Sequence, residues 1–312
     1  MRFSIVICTY GRARSLEHLL DSLATQTYRN FEVLVVDGNQ DSSSVQGIVA
    51  MFQGSALNLR RIPAPKGLTR QRNVGIEQSR GDVLCFLDDD VTMEPDFLSR
   101  IDDLLESPSM HDVGGLTGYD VLNYPTRVTL RWKLRWLLGA IPSLKPGDAD
   151  HLGRAVPVSF LTPYSGCRSV KWLSGFCMIY RRTAIGALRF DEKLPTYGGE
   201  DRDFSAAIGS QWRLLLCGDL HLRHHCSKEG RDSDVDRVFE TGFGVGRRFA
   251  KYARTPWDYV IVVRSFLGDL VVDVLAFLAR PSRYTFLTTF ARASGFFHGL
   301  TSLETAAKWS SL

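Results

Sequence analysis

The stretch Phe86-Leu87-Asp88-Asp89-Asp90-Val91 places three consecutive carboxylates directly after the apolar run of residues 83–87. Carboxylates this close raise one another's pKa, whereas a divalent cation supplies the charge and the oxygen coordination that keep them ionised. In open α/β sheets, ligands bind beyond the carboxyl ends of the strands. The stretch therefore predicts a buried strand that ends in a metal site, with a solvated acidic turn as the alternative.

Size and composition bound the class of protein. The chain has 312 residues, of which 44% are hydrophobic, and a formal net charge of +4. This suits one large domain or one domain with an extension. No Lys/Arg block is long enough to form a nucleic-acid-binding arm, so we expect no nucleic-acid partner. The six cysteines are scattered without a CxxC pair, and the N-terminus carries no signal-peptide pattern, so we expect reduced thiols and a cytoplasmic location.

Upstream of the acidic stretch, apolar runs alternate with helical patterns. Residues 3–8 form a β-branched run that ends at Thr9, Tyr10 and Arg12, and residues 31–36 form another that ends at Asp37. This alternation predicts a parallel sheet wound by right-handed crossovers. The strand ends should then meet in one crevice with the three aspartates. For Asp37 taken by itself, a turn-forming role is the alternative.

Two arginines precede the acidic strand on a predicted helix. Arg70 and Arg72 are two positions apart and therefore point to different faces, so at most one addresses a ligand phosphate. We favour Arg72, and a solvated helix face is the alternative.

Residues 107–170 are rich in Pro, Gly and Ser and show no long period. Within them, Trp132 and Trp136 stand one helical turn apart with cations between them. This predicts a helix that packs on the body through its tryptophans, or else a lip that faces a membrane or an acceptor. An apolar strand is predicted over residues 170–180, where Gly175 indicates close approach of a ligand to the backbone.

Glu200 and Asp201 follow two glycines at the first turn of a predicted helix. The helix dipole favours ionised carboxylates there, as a general base requires, and capping of the helix is the alternative. Further on, strand alternation places His224 on one face with Leu220 and Leu222. A structural histidine is the alternative to a ligand, and His225 is a second candidate.

Four motifs, Ser4-Ile5-Val6-Ile7-Cys8-Thr9-Tyr10, Val35-Val36-Asp37-Gly38, Arg72-Asn73-Val74-Gly75 and Phe86-Leu87-Asp88-Asp89-Asp90, together resemble the nucleotide-sugar domain of family 2 glycosyltransferases. The resemblance implies the GT-A fold, an α/β fold with a Rossmann-like, mostly parallel sheet flanked by helices. It also implies that the first strand-end loop and Asp37 hold the nucleobase. Asp88 and Asp90 would form the DxD motif, which contacts the ribose and a Mg²⁺ or Mn²⁺ that bridges the diphosphate. The loop Asp37-Gly38-Asn39-Gln40-Asp41 departs from the family's usual two aspartates followed by Gly-Ser.

The glycine-bearing strand, the Phe190-Asp191-Glu192 turn and the Gly-Gly-Glu-Asp helix start extend this resemblance to the acceptor half, especially that of bacterial rhamnosyltransferase-like members. By that match Asp201 is the general base, Glu200 is the less favoured candidate, and His224 is a further metal or diphosphate ligand. The predicted substrate-binding residues are Thr9, Tyr10, Arg12, Asp37, Arg72, Asp88, Asp89, Trp172 and Gly175; the predicted metal ligands are Asp88, Asp90 and His224.

The implied activity is an inverting, metal-dependent transfer of a sugar from a UDP-, dTDP- or GDP-sugar to a hydroxyl of a glycan or lipid-linked acceptor. Two other functions are the alternatives. One is a nucleotidyltransferase, and the other is a non-catalytic protein of the same fold that binds nucleotide sugars or glycans. The presence of Asp88, Asp90 and Asp201 together argues against the binding protein.

We divide the chain into a nucleotide-sugar half (residues 1–106), an acceptor half (107–228) and a helical C-terminal extension (229–312). The resemblance does not cover roughly the last sixty residues. The segment 256–280 is long enough to span a bilayer. However, Asp258, Ser265, Asp269, Asp273 and Arg280 form one polar stripe along it. We expect this helix to dock on its own domain or in a homodimer, or to lie on the inner face of the plasma membrane.

Overall fold

The computed structural model of the chain describes residues 1–227 and 233–302. It consists of an α/β body followed by three long helices. The strands are β1 (Phe3–Thr9), β2 (Phe31–Asp37), β3 (Leu59–Pro63), β4 (Val83–Asp88), β5 (Val91–Met93), β6 (Val113–Asp120), β7 (Cys167–Val170), β8 (Cys177–Arg181) and β9 (Arg213–His224). The helices are α1 (Ala13–Ala24), α2 (Ser43–Met51), α3 (Leu68–Gln78), α4 (Phe97–Glu106), α5 (Leu130–Leu137), α6 (Arg182–Ile185), α7 (Glu200–Gly209), α8 (Asp234–Tyr252), α9 (Pro256–Ala279) and α10 (Arg283–Thr301).

The strands form one sheet in the order β3-β2-β1-β4-β8-β6-β9-β5, and β7 pairs with β9. The pairs β2–β3, β1–β2 and β1–β4 are parallel, as the alternation of strands and helices predicts. Beyond β4 the sheet is mixed, because β8 runs antiparallel to both β4 and β6. Ile5 and Ile7 pack in one hydrophobic cluster and Val6 in another, so both faces of the sheet are buried.

β6 is a strand that the sequence analysis missed, because it lies in the region described as irregular. It is a fully buried strand inside the sheet, between β8 and β9. Its glycines weaken the strand pattern, but the packing requires them. A Cβ atom on Gly115 would lie 2.3 Å from the Tyr180 ring, and one on Gly118 would lie 2.5 Å from the Leu220 carbonyl oxygen.

The prediction of one continuous strand over residues 170–180 is wrong, although Val170 and residues 177–180 do lie in strands. β7 ends at Val170, β8 begins at Cys177, and the residues between them form a loop that carries Trp172 and Gly175. Apolar character misled the prediction, because Leu173 and Phe176 are buried without being part of a strand. The Phe176 carbonyl oxygen accepts a hydrogen bond from the Asp88 N–H at 3.0 Å, so the loop lies beside the end of β4.

Cys167 and Cys217 form a disulfide, which corrects the expectation of six reduced thiols. The two residues lie directly opposite each other on the antiparallel strands β7 and β9, with Cα atoms 4.0 Å apart. They are 50 positions apart in the sequence, so no short spacing motif predicts that they pair.

Except for Arg280, which is exposed at the C-terminal end of α9, the polar stripe of this helix faces the protein's own body. Asp269 accepts hydrogen bonds from Arg135 on α5 at 2.6 and 3.2 Å, Asp258 lies 2.7 Å from His151, and Asp273 accepts from Arg292 on α10 at 2.6 Å. Of the docking modes considered, contact with its own domain is the one observed for the polar side. Among the described residues, none of the helices combines the length and the apolar character needed to cross a bilayer. The predicted domain boundary at residue 229 lies outside the described residues.

Candidate active site

A cleft of about 430 Å³ opens at the carboxyl ends of β1 and β4. Parallel pairing brings these ends together, with Cys8 opposite Asp88 and Thr9 of β1 opposite Asp37 of β2. The lining includes most of the predicted site residues: Thr9, Tyr10, Arg12, Arg72, Asp88, Asp89, Asp90, Gly175, Glu200 and His224.

Asp88, Asp90 and His224 form a candidate metal centre at one end of the cleft. Each offers one ligand atom, and these atoms all lie within 4.8 Å of one another. The pairing of β5 with β9 sets Val91 opposite His224, which brings the neighbouring Asp90 beside the imidazole. The ring of Phe176 stacks on His224 with centroids 4.9 Å apart and fixes its plane. The two carboxylates provide the oxygen ligands that Mg²⁺ or Mn²⁺ prefers.

Asp90 gives a direct test of whether this cluster fits a cation. Its Oδ1 is buried, lies 3.2 Å from His224 Nε2, and accepts no hydrogen bond from the described residues. Its Oδ2 accepts from the Ser227 N–H at 2.7 Å. Burial acts to raise the pKa of Asp90, but the His224 contact and the Ser227 hydrogen bond outweigh burial, so the pKa lies below its ordinary value. An ionised carboxylate with an unsatisfied buried oxygen fits a divalent cation.

Asp89 faces away from this cluster and toward the loop after β1. Its carboxylate accepts from Thr9 Oγ1 at 2.8 Å and from Arg12 Nη1 at 3.2 Å. Burial raises the pKa of Asp89 to about 7, although Arg12 and Thr9 act in the opposite direction. The middle aspartate therefore holds Thr9 and Arg12 at the mouth of the cleft, while its two neighbours face His224.

Arg72 connects the candidate metal centre to the start of α7. Its buried guanidinium places Nη1 2.8 Å from Glu200 Oε1 and Nη2 3.4 Å from Asp88 Oδ1, and Nη2 donates to the Gly175 carbonyl oxygen at 2.9 Å. Burial acts to lower the pKa of Arg72, but Glu200 and Asp88 outweigh it and the net shift is upward. Arg70, on the same helix, is exposed.

Glu200 and Asp201 begin α7 after Gly199, whose positive φ of 78° favours glycine. Glu200 lines the cleft, and Asp201 is not among the lining residues. Asp201 Oδ2 accepts from the Gly175 N–H at 3.2 Å, and Oδ1 accepts from the Arg202 N–H at 2.8 Å. Burial and then the charge of Asp201 raise the pKa of Glu200, while Arg72 opposes the shift.

Two further predicted residues lie outside the cleft lining. Asp37 is buried at the end of β2, where its Oδ2 accepts from Arg61 Nε at 2.9 Å and its Oδ1 accepts from Asn39 Nδ2 at 2.7 Å. Trp172 is half-buried and donates from Nε1 to the Val156 carbonyl oxygen at 3.1 Å. Asp37 therefore stands at the same sheet edge as the cleft, whereas Trp172 packs against the body.

Several lining residues were not predicted. Gln71 donates from Nε2 to the carbonyl oxygens of Thr9 at 3.0 Å and Val36 at 2.8 Å, and so ties the ends of β1 and β2 together. Lys66 lies over the Tyr10 ring at 4.2 Å. Nothing in the sequence marks these residues except that Gln71 stands beside Arg72. The others are Cys8, Gly67, Leu68, Ser174, Phe176, Thr196, Tyr197, Cys226 and Arg237.

Comparison with known proteins identifies the family and two curated relatives. Residues 4–188 match glycosyl transferase family 2. The chain is 35% identical over 120 residues to the glucosyl-dolichyl phosphate glucuronosyltransferase of Haloferax volcanii, a match that covers 37% of this chain and 38% of that protein. It is 34% identical over 107 residues to the amylovoran biosynthesis glycosyltransferase AmsB of Erwinia amylovora, covering 33% and 36%. The matches thus span little more than a third of these relatives' length.

Solved structures extend the likeness to the whole chain. The mannosyltransferase PcManGT from Pyrobaculum calidifontis, in complex with GDP-Man and Mn²⁺, superposes with a TM-score of 0.57 at 17% identity, covering 100% of this chain and 88% of that one. Residues 1–349 of S. aureus TarS in complex with UDP-GlcNAc superpose with a TM-score of 0.52 at 17% identity, covering 99% and 92%. At this identity the likeness concerns the fold, which is GT-A. The chain belongs to glycosyl transferase family 2.

Proposed function

We propose that the protein is an inverting, metal-dependent glycosyltransferase that moves a sugar from a nucleotide-diphosphate sugar to a hydroxyl of a glycan or lipid-linked acceptor. One observation carries the proposal. The metal-ligating cluster and the carboxylates at the start of α7 are separated by a single guanidinium, because Arg72 lies 3.4 Å from Asp88 and 2.8 Å from Glu200. A diphosphate bound at the first would hold its sugar close to the second.

The donor end is the edge formed by β1, β2 and β4. A Mg²⁺ or Mn²⁺ held by Asp88, Asp90 and His224 would supply positive charge for the departing diphosphate. Thr9, Tyr10 and Asp37, at the ends of β1 and β2, would hold the nucleobase, and Asp88 and Asp90 would contact the ribose. PcManGT was solved with GDP-Man and TarS with UDP-GlcNAc, which supports a GDP- or UDP-sugar as the donor, while the proposal of a dTDP-sugar comes from the sequence resemblance alone.

At the acceptor end, we assign Asp201 as the general base. Asp201 would take the proton of the acceptor hydroxyl while that oxygen attacks the anomeric carbon on the face opposite the diphosphate, so one displacement inverts the centre. Gly175 supports this assignment, because its N–H holds Asp201 Oδ2 and its carbonyl oxygen accepts from Arg72. Glu200 is the second candidate; it lines the cleft, which Asp201 does not, and its Oε1 accepts from Arg72.

Thermal shift with a panel of UDP-, dTDP- and GDP-sugars tests the donor site. A donor that binds only the folded state raises the unfolding temperature, and this rise should require Mn²⁺. Asp90→Asn should abolish the Mn²⁺-dependent rise. Asp21→Asn, which changes an exposed aspartate on α1, is the matched control and should keep it.

Product analysis then separates the candidate functions. Mn²⁺-dependent release of nucleoside diphosphate from the selected donor supports a glycosyltransferase. Release of pyrophosphate from a nucleoside triphosphate would identify a nucleotidyltransferase instead. Donor binding without release of any product would identify a binding protein of the same fold.

A further inference from the structure

Helix α9 is amphipathic, but its polar side is turned inward and its apolar side is turned to solvent. Asp258, Ser265 and Asp273 are buried against the rest of the chain. The opposite side exposes apolar residues three or four positions apart, which places them on one stripe along the 24-residue helix. These residues are Val260, Val263, Leu267, Val271, Val274 and Leu278.

This apolar surface continues onto the neighbouring helices. Leu138, after α5, joins Tyr259, Val260, Val263, Leu267 and Val271 in an apolar groove of about 570 Å³. On α5 itself, Leu130, Trp136 and Leu137 are exposed, the last at 68%. The start of α10 exposes Tyr284, Phe286 and Phe290, and the ring of Phe286 lies 6.3 Å from that of Phe277 on α9. We call the exposed apolar residues of α5, α9 and α10 the apolar face.

The exposed charged residues in and beside the helices of the apolar face are all positively charged. The acidic residues described within residues 127–138 and 254–302 are Asp258, Asp269 and Asp273, and all three are turned inward onto histidine or arginine partners. The exposed charged residues of the same segments are all cationic: Arg127, Lys133, Arg254, Arg264, Arg280 and Arg283, together with Arg131, which pairs with Asp273. The surface therefore combines apolar side chains with cations and offers no exposed carboxylate in these segments.

We propose that the apolar face lies on the surface of an anionic lipid bilayer. Apolar side chains would enter the boundary between headgroups and acyl chains, and the surrounding cations would contact anionic headgroups. Exposed aromatic residues such as Trp136, Trp257 and Tyr284 suit this depth, because their rings favour the interface. The paired inward stripe explains how a helix with three aspartates can present a continuous apolar side.

A second copy of the chain fits this surface less well. A twofold interface uses the same patch on both subunits, so it would set cations such as Arg264 and Lys133 of one copy near those of the other. No acidic residue of these segments is exposed to neutralise them. Charge complementarity therefore favours anionic lipid over self-association. This inference does not depend on the proposed glycosyl transfer.

Co-sedimentation of the full chain with vesicles tests the proposal. The protein should sediment with vesicles of phosphatidylcholine and phosphatidylglycerol, and less with phosphatidylcholine alone. Leu267→Glu should weaken binding by at least about tenfold, because burial of one leucine side chain changes a binding constant by more than about tenfold. Met51→Glu is the matched control, since Met51 is a similarly exposed apolar residue on α2, and it should leave binding unchanged.

The cations provide a second, independent readout. Arg280→Gln and Arg283→Gln should each weaken binding to the anionic vesicles by about fivefold, because a cation near an anionic surface contributes about this much. Binding to phosphatidylcholine alone should not change. An unchanged unfolding midpoint for Leu267→Glu establishes that the variant is folded.

Two results would overturn the proposal. The first is failure of the wild-type chain to sediment with either kind of vesicle. The second is a vesicle-free dimer in analytical ultracentrifugation that Leu267→Glu dissociates and Met51→Glu does not, which would assign the apolar face to a second copy.

Discussion

Arg72 and Glu200 lie 128 positions apart in the sequence and form a buried ion pair with Nη1 and Oε1 2.8 Å apart. Arg72 belongs to α3 in the half assigned to the nucleotide sugar, and Glu200 is the first residue of α7 in the half assigned to the acceptor. Both side chains are almost completely removed from solvent. The pair therefore fixes the start of α7 relative to the end of β4, where Asp88 lies.

Breaking this pair should destabilise the protein strongly. Arg72→Met should lower the free energy of unfolding by about 3–5 kcal/mol, because it leaves the Glu200 carboxylate buried without its partner. Arg70→Met changes an exposed arginine on the same helix and should stay within about 0.5 kcal/mol of the wild type. Urea denaturation measures both. Combining Arg72→Met with Glu200→Gln should recover part of the loss, and equal effects of the two arginine variants would refute the buried pair.

Asp201→Asn should impair turnover and spare donor binding. Loss of a positioned general base costs about 10²- to 10⁴-fold in kcat. Asp201 is not among the residues that line the cleft, so the Mn²⁺-dependent thermal shift by the donor should persist. Asp21→Asn removes an exposed carboxylate from α1 and again serves as the control. Wild-type kcat in Asp201→Asn would exclude this residue as the base.

The pH profile distinguishes Glu200 from Asp201. Burial and the neighbouring charge raise the pKa of Glu200. If Glu200 were the base, the acidic limb of kcat/KM would lie above the ordinary range of a carboxylate, and Glu200→Gln would remove that limb. With Asp201 as the base, the Glu200→Gln variant should keep an acidic limb.

The donor side of the site was predictable because local signals agreed with the topology. Apolar runs that end in polar residues indicated parallel strands, and parallel strands deliver their carboxyl ends to one edge. Thr9, Arg12, Asp88 and Asp90 therefore line one cleft, as expected from residues spread over some eighty positions. Gln71 was not predicted, because its hydrogen bonds to two carbonyl oxygens depend on backbone geometry and are not indicated by charge or by a motif.

The features that the sequence did not predict depend on contacts between distant segments. β6 was missed because its glycines are dictated by Tyr180 and Leu220, which lie far along the chain. The disulfide depends on strand register. The sequence showed the polar stripe of α9, but not that Arg135 and His151, more than a hundred positions upstream, would turn it inward. Periodicity identifies the faces of a helix, whereas partners elsewhere decide which face is buried.

Asp191 and Arg247 should make stability depend on pH in acid. Arg247 donates to the Asp191 carboxylate at 2.7 and 3.0 Å and so joins α8 to the body. Burial acts to raise the pKa of Asp191, but hydrogen bonds from Arg247 and the Lys193 N–H outweigh it, so the pKa is lowered. Because the pKa is lower in the folded state, the ionised Asp191 stabilises the protein at any pH above its unfolded-state pKa of about 3.9. This stabilisation is lost as the pH falls through the folded-state pKa.

The measurement compares wild type with Asp191→Asn in urea denaturation at successive pH values. The difference in unfolding free energy between the two proteins should be constant above about pH 5 and shrink below about pH 4. Protonation of Asp191 in the wild type removes the charge that pairs with Arg247, and the variant lacks this charge at every pH. A difference that is the same at all pH values would show that the carboxylate charge does not hold α8 in place.

Gly244 allows α8 to touch the loop before α7, and a methyl group there should disturb both. A Cβ atom on Gly244 would lie 1.8 Å from the Gly198 carbonyl oxygen, a backbone atom that cannot turn aside. Gly244→Ala should therefore destabilise the protein by about 1–3 kcal/mol through overpacking, and it should lower kcat because the helix that carries Asp201 shifts. Gly47 lies within α2, and a Cβ atom there meets nothing within 4 Å, so Gly47→Ala should stabilise by about 0.5–1 kcal/mol. Urea denaturation and turnover are measured for both variants. If Gly244→Ala raised the free energy of unfolding as much as Gly47→Ala does, the close contact between α8 and Gly198 would be refuted.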